Sequence, residues 1–290
     1  MTPPLPLVGA HVSAAGGVAR AEQRAREIGA AVAQIFSGSP RGWQAGRPTV
    51  ADCDAARAAD AVPLVLHASY LVNLASSDAE LARRSATRLA ADLAAGRDLR
   101  AAGVVLHPGS HRGAGLEAVL GRLVDRLRQA VDGVEGAVPL LLENTAGAGG
   151  TIGRSLEEWA RLREAIDRPG GVGVCLDTQH LWASGLTWSD EETTDRLVRA
   201  IVAAVGRPAV VHLNDSAVEA KSARDRHANL GSGTIGAERL GLMVGHPALA
   251  EALVVLEVPG DGHGPRAEDV AVAREVVAKG RARWEATGGL

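Results

Sequence analysis

Eight short apolar segments recur along the chain, at 7–12, 31–36, 64–69, 103–108, 139–144, 171–177, 209–214 and 252–258. Each is rich in Val, Leu or Ala and has the length of a strand buried on both faces. Between them lie stretches of helical character. Ser77-Asp-Ala-Glu80, Ser155-Leu-Glu-Glu158 and Ser189-Asp-Glu-Glu192 match the capping box, in which Ser and Glu satisfy the orphan amides of a helix start. Amphipathic helices are expected over 79–102, 116–131, 156–166, 191–205 and 268–279. Strands alternating with helices in this way, within roughly 250 residues, predict an α/β fold of the (β/α)8 TIM-barrel type. An open doubly wound sheet shares the alternation, but no Gly-x-Gly-x-x-Gly phosphate loop follows the first segment. No linker or low-complexity stretch divides the chain, so residues 1–290 are read as a single domain.

Composition narrows the class. Of 290 residues, 46% are hydrophobic and 22% charged, which argues against disorder. No apolar run approaches the roughly 20 residues that a membrane helix needs. Residues 1–6 lack the basic start and apolar core of a signal peptide, and Cys53 and Cys175 are too few for a disulfide framework. A cytoplasmic protein with no membrane association is expected. The net charge of −3 gives no hint of nucleic acid, so a DNA-binding face would have to be a local cluster of Arg and Lys.

The positions of the metal-ligating residue types are informative. His67, His107 and Glu143 close the third, fourth and fifth segments. Asp177 closes the sixth, with His180 three residues later. His212 lies in the seventh and Glu257 in the eighth, while Asp225 and His227 form an Asp-x-His pair in the loop between them. In a barrel these strand ends converge on one face. A single His at a strand end is more often a satisfied polar residue than a ligand, and a carboxylate there more often pairs with Arg. Six consecutive strands each delivering such a group point instead to a metal site. Imidazole and carboxylate without thiolate suit zinc, manganese or iron, with zinc the natural default. Nine ligands are too many for one ion; three ions fit if one carboxylate bridges a pair. His11, His111, His246 and His263 are read as supporting, helix-end or loop residues.

Segments spread along the chain resemble the endonuclease IV family. They are Gly9-Ala-His-Val-Ser-Ala-Ala-Gly-Gly17, His67-Ala-Ser-Tyr-Leu-Val-Asn73, His107-Pro-Gly-Ser-His111, Glu143-Asn-Thr-Ala-Gly147, Cys175-Leu-Asp-Thr-Gln-His180, His212-Leu-Asn-Asp215 and Asp225-Arg-His227. The resemblance implies a xylose isomerase-like TIM barrel with three Zn2+ ions, manganese being an alternative at one or more sites. It assigns His67, His107 and Glu143 to the first ion. Glu143 would bridge to a second ion completed by Asp177, His212 and Glu257, and His180, Asp225 and His227 would hold the third. It also implies a monomeric zinc-dependent deoxyribonuclease acting on double-stranded DNA with abasic sites. Glu143 is its catalytic residue, and Arg41, Tyr70 and Leu71 are its DNA-inserting side chains. Incision 5′ to the lesion would leave a 3′-hydroxyl and a 5′-deoxyribose phosphate, and the activity extends to trimming blocked 3′ ends.

Gly42, Ala148, Gln179 and Ala217 depart from the commoner family pattern. None removes a ligand; all four bear on DNA contacts. Apart from the resemblance, Tyr70 reads as a rim packing residue. A sugar isomerase or epimerase on a similar metal-bearing barrel is the rival reading, but it leaves Asp225 and His227 unexplained. A non-catalytic DNA-binding barrel predicts missing ligands, and none is missing.

Overall fold

The computed structural model describes residues 4–166 and 171–288. The expected domain, 1–290, also takes in 1–3, 167–170 and 289–290, which lie outside the described residues. Eight parallel strands close into a barrel: β1 (Val8–His11), β2 (Ala33–Phe36), β3 (Leu64–His67), β4 (Val104–Leu106), β5 (Leu140–Glu143), β6 (Val172–Asp177), β7 (Val210–His212) and β10 (Leu253–Leu256). Every one falls inside its predicted segment. Closure is direct, because β1 pairs with both β2 and β10 (Ala10 with Ala33, Ala10 with Leu256). That pairing excludes the open doubly wound sheet. A two-stranded antiparallel hairpin of β8 (Asp215–Ser216) and β9 (His227–Ala228) interrupts the pattern after β7.

Helices pack around the outside: α1 (Val18–Glu27), α2 (Val50–Ala56), α3 (Ala79–Asp98), α4 (Glu117–Asp132), α5 (Leu156–Ile166), α6 (Thr178–Ser184), α7 (Glu191–Val205), α8 (Ala237–Gly245) and α9 (Ala267–Ala286). The capping expectations need correction. Asp78, not Ser77, caps α3, accepting from the amides of Glu80 and Leu81. Asp190, not Ser189, caps α7 and forms its box with Thr193. Ser155 does accept from the Glu158 amide, but the Glu158 carboxylate turns back to the amides of Gly153 and Arg154.

Alternation along the strands builds two separate apolar layers, since residues two apart share a face. Outward residues such as Leu66, Leu106, Leu142 and Leu256 join the large core shared with the helices. Inward residues Val32, Val65, Val105, Leu141, Cys175, Val210 and Val255 form a second, smaller cluster inside the barrel. Each stands two positions before a polar residue: Gln34, His67, His107, Glu143, Asp177, His212 and Glu257 respectively. The same periodicity that fills the barrel with hydrocarbon therefore delivers polar groups to its rim. On β1 the corresponding pair is Gly9 and His11, and a Cβ on Gly9 would stand 1.9 Å from the Val32 carbonyl oxygen. Glycine is what lets β1 and β2 approach so closely.

Candidate metal centre

His67 and Glu143 end their strands, whereas His107 and Glu257 sit one residue beyond β4 and β10. Asp177 is the last residue of β6 and also the N-cap of α6, its Oδ1 accepting from the His180 amide at 2.8 Å. That cap places His180 in the first helical turn and explains why two groups three residues apart meet.

Glu143 is the hub. Its carboxylate is fully buried, with Oε2 at 2.9 Å from His107 Nε2 and 3.4 Å from His67 Nε2. Its other oxygen lies 3.0 Å from His212 Nδ1 and 3.3 Å from His180 Nδ1. On the far side, His212 Nδ1 is 3.4 Å from Glu257 Oε2, and His227 Nε2 is 3.6 Å from Asp177 Oδ2. Asp225 reaches His180 Nε2 with one oxygen and His227 Nε2 with the other, each at 3.3 Å.

Donor atoms gather within 4.8 Å of one another in overlapping sets: His67, His107 and Glu143; Glu143, Asp177, His212 and Glu257; and Asp177, His180 and His227, with a further set in which the Cys175 thiol, its pKa pushed up to about 12 by burial, joins Glu143 and His212. The first two sets bring together the residues expected to hold the first and second ions. The third contains Asp177 where Asp225 was expected, with Asp225 half-exposed beside it.

The chemistry of these donors fits cations. His67, His180 and His227 place Nδ1 against the backbone carbonyls of Ala68, Asn144 and Glu257, at 2.8, 2.9 and 3.2 Å. A carbonyl only accepts, so Nδ1 carries the proton and Nε2 turns to the centre, the arrangement usual for metal-bound imidazole. Glu143 Oε2 and His227 Nε2 are buried without a hydrogen-bond partner. Among the described residues, the partners of Glu143, Asp177, Asp225 and Glu257 within salt-bridge distance are histidines, not Arg or Lys. Burial opposes charge on Glu143, yet the His107 and His212 charges hold its pKa well below the usual carboxylate range. Burial also opposes charge on His180 and His212. Asp177, Asp225 and Glu143 nonetheless draw His180 well above the ordinary imidazole value, and Cys175, Glu257 and Glu143 do so for His212. The field is one that concentrates positive charge, and divalent ions satisfy it without protonating the rings.

Amides that sequence reading passed over fix the carboxylates. Asn214 Nδ2 donates to Asp177 Oδ2 at 2.7 Å, and Asn144 exchanges bonds with the Asp177 backbone at 2.7 and 3.0 Å. Gln34, fully buried on β2, touches Glu257, His212 and His11. A polar residue on the inward face of an apolar strand was the available signal for it. His11 stands 3.4 Å from Glu257, in keeping with a supporting role. His111 accepts from the amides of Gly113 and Gly115, His246 pairs with Asp195, and His263 lies in an exposed loop.

The proposed DNA-contacting residues rim this face. Tyr70 is 55% exposed, its ring 5.4 Å from His67 and 5.2 Å from Phe36. Its amide donates to the Pro40 carbonyl, which joins its loop to the one carrying exposed Arg41, while Leu71 is half-buried. An open cleft of about 580 Å3, lined by His11, Phe36, Tyr70, His227 and Glu257, lies beside the ligands. Exposed Arg41, Arg112, Arg154, Arg224 and Arg226 lie in loops that follow barrel strands, alongside the exposed acidic Glu219, Asp225 and Asp261. Gln179 ties α6 to the Arg224 carbonyl and Ser216 hydroxyl, which steadies the approach to Asp225.

The family model described as xylose isomerase-like TIM barrel matches residues 23–280. The Mycobacterium tuberculosis (strain H37Ra) protein named "Probable endonuclease 4" is 41% identical over 269 residues, covering 93% of this chain and 98% of its own. The crystal structure of endonuclease IV from Thermus thermophilus superposes with a TM-score of 0.80 at 36% identity, over 96% of this chain and 100% of that one. A D-tagatose 3-epimerase-like protein superposes at 0.71 with 16% identity, over 96% and 99%; that likeness shows the fold alone. Among the described residues, no helix is long and apolar enough to cross a membrane.

Proposed function

Since the chain belongs to the endonuclease IV family, we propose that it is a zinc-dependent DNA repair enzyme that hydrolyses the phosphodiester bond 5′ to abasic sites. The products are a 3′-hydroxyl and a 5′-deoxyribose phosphate. The observation that carries this reading is the convergence of imidazole and carboxylate donors that, among the described residues, have no Arg or Lys partner. His67, His107 and Glu143 would hold one ion, Glu143, Asp177, His212 and Glu257 a second, and His180, Asp225 and His227 a third. Asp177 borders this third group. When bound, zinc supplies Lewis acidity to the phosphoryl oxygens and makes water nucleophilic near neutral pH.

The chain's own groups then divide the work. Glu143 presents its two oxygens to opposite sides, towards His67 and His107 with one and towards His212 with the other. The carbonyl-bonded histidines keep their Nε2 lone pairs aimed inward without rearrangement, so the site is preorganised. Tyr70 and Leu71 fill the stack vacated by the missing base, and Arg41 supports the kinked backbone. An abasic nucleotide has lost its pairing and stacking, so turning it out costs less than flipping a normal base. The protein acts as a monomer in the cytoplasm.

The rival sugar epimerase reading leaves the arm formed by His180, Asp225 and His227 without a purpose. The deciding test is incision of a duplex with one tetrahydrofuran abasic analogue by zinc-loaded protein, with the product ends identified. Cleavage leaving a 3′-hydroxyl is expected, and an intact duplex would refute the proposal.

A further inference from the structure

Gln34 makes three contacts with its one amide. Its Oε1 lies 2.8 Å from His212 Nε2, and its Nε2 lies 2.6 Å from Glu257 Oε1 and 3.0 Å from His11 Nδ1. We propose that Gln34 is a positioning residue that fixes which atoms of His212 and Glu257 face the metal centre; this rests on the metal-centre reading above.

An amide oxygen only accepts, so the contact with His212 is a hydrogen bond when Nε2 carries the proton. That leaves Nδ1 to face Glu143 Oε1 at 3.0 Å, Glu257 Oε2 at 3.4 Å and Asp177 Oδ2 at 3.9 Å. The orientation is the reverse of His67, His180 and His227, whose Nδ1 atoms are held by backbone carbonyls. His212 has Gln34 where those rings have the main chain. The amide nitrogen completes the arrangement. By donating to Glu257 Oε1 it occupies that oxygen and leaves Oε2 on the His212 side. Its other proton goes to His11 Nδ1, so all the amide's polar atoms are engaged. A carboxylate at position 34 would keep the acceptor and lose the donor, and an apolar side chain would lose both. Partners that orient metal-binding imidazoles commonly alter metal affinity by about 10–100-fold.

The test uses zinc-loaded wild type, Gln34→Met and Gln34→Glu. Nitrogen-15 shifts of the His212 ring report which nitrogen holds the proton, and titration with chelators of graded strength reports how firmly each zinc is held. In wild type, His212 carries its proton on Nε2. In Gln34→Met, that proton loses its slow exchange and one zinc is released about 10–100-fold more readily, while the remaining zinc holds as in wild type. Gln34→Glu preserves the Nε2 proton signal and weakens the same zinc; being isosteric, it carries the test should Gln34→Met not fold. A wild-type proton on Nδ1, or variants that hold every zinc as wild type does, overturns the inference alone. Wild type that takes up no zinc overturns the metal-centre reading and this inference with it.

Discussion

Arg88 Nε lies 3.0 Å from Asp92 Oδ1, and both side chains are fully enclosed beneath the loop that carries Arg41. The guanidinium also donates to the carbonyls of Ser39, Gly42 and Gln44, at 3.3, 2.6 and 3.0 Å, and Ser37 bonds to Asp92. The loop is thus wrapped around a buried cation. Arg88→Lys retains the charge but not the fork, and leaves carbonyls unsatisfied. A stability loss of about 1–3 kcal/mol is expected by urea unfolding. Binding of abasic duplex should weaken by roughly tenfold, about 1.4 kcal/mol, with zinc content unchanged. Wild-type DNA affinity in a folded variant would separate the loop's order from recognition.

Removing the hub carboxylate has a different signature. Glu143→Ala takes away the group that faces His107 with one oxygen and His212 with the other. Cleavage should fall at least about a thousandfold, equivalent to roughly 4 kcal/mol. Elemental analysis should find zinc reduced in the same preparation. Full zinc occupancy would contradict the bridging role.

Tyr70→Ala should leave zinc untouched. The ring packs on His67 and Phe36 but stands 55% exposed, and its loss removes a stacking surface at the rim. Abasic duplex binding should weaken by about 1–3 kcal/mol, measured by fluorescence anisotropy. Zinc loss equal to that of Glu143→Ala would abolish the division of labour between the two.

Chelation of the wild-type protein should lower its melting temperature, and added zinc should restore it. Ligands that bind the folded state stabilise it by mass action, and the buried carboxylate of Glu143 is surrounded by imidazole nitrogens that a cation would bind. Calorimetry with and without a chelator provides the measurement.

Acid sensitivity is expected at the start of α7. The Asp190 pKa falls from 3.8 to about 2, because its carboxylate accepts from the Thr193 amide and from the Ser189 and Thr193 hydroxyls. A depressed folded-state pKa means the cap's contribution is complete above about pH 4 and is lost as pH falls towards 2. The gap in urea midpoint between wild type and Asp190→Ala should be constant from pH 7 to 5 and narrow below 4. A gap that widened on acidification would reverse the sign.

The barrel and its candidate ligand set were legible for one shared reason. Strands buried on both faces show as apolar runs, and barrel topology sends their ends to a single rim. His67, His107, Glu143, Asp177, His212 and Glu257 could therefore be grouped before any distance was known. Gln34 could not, because a polar residue on an apolar strand marks the position without naming its role; that role arises from Glu257, 223 positions away. Helices α1, α2, α6 and α8 lie outside the expected helical ranges, and for α6 and α8 burial is the cause. Six of the seven residues of α6 are buried, and so is the whole of α8 from Leu240 to Gly245, which leaves little of the polar face that marks an amphipathic helix. Helix starts at Asp78 and Asp190 were missed by one residue, since Ser and Asp both cap and only the fold chooses between neighbours.

Beneath the rim, Val32, Val65, Val105, Leu141, Cys175, Val210 and Val255 form an apolar plug. An ion seated above it has solvent ahead and hydrocarbon behind, so traffic runs through the open mouth. A duplex laid across that opening would cork it, turning an exchangeable centre into a trapped one for the duration of each encounter.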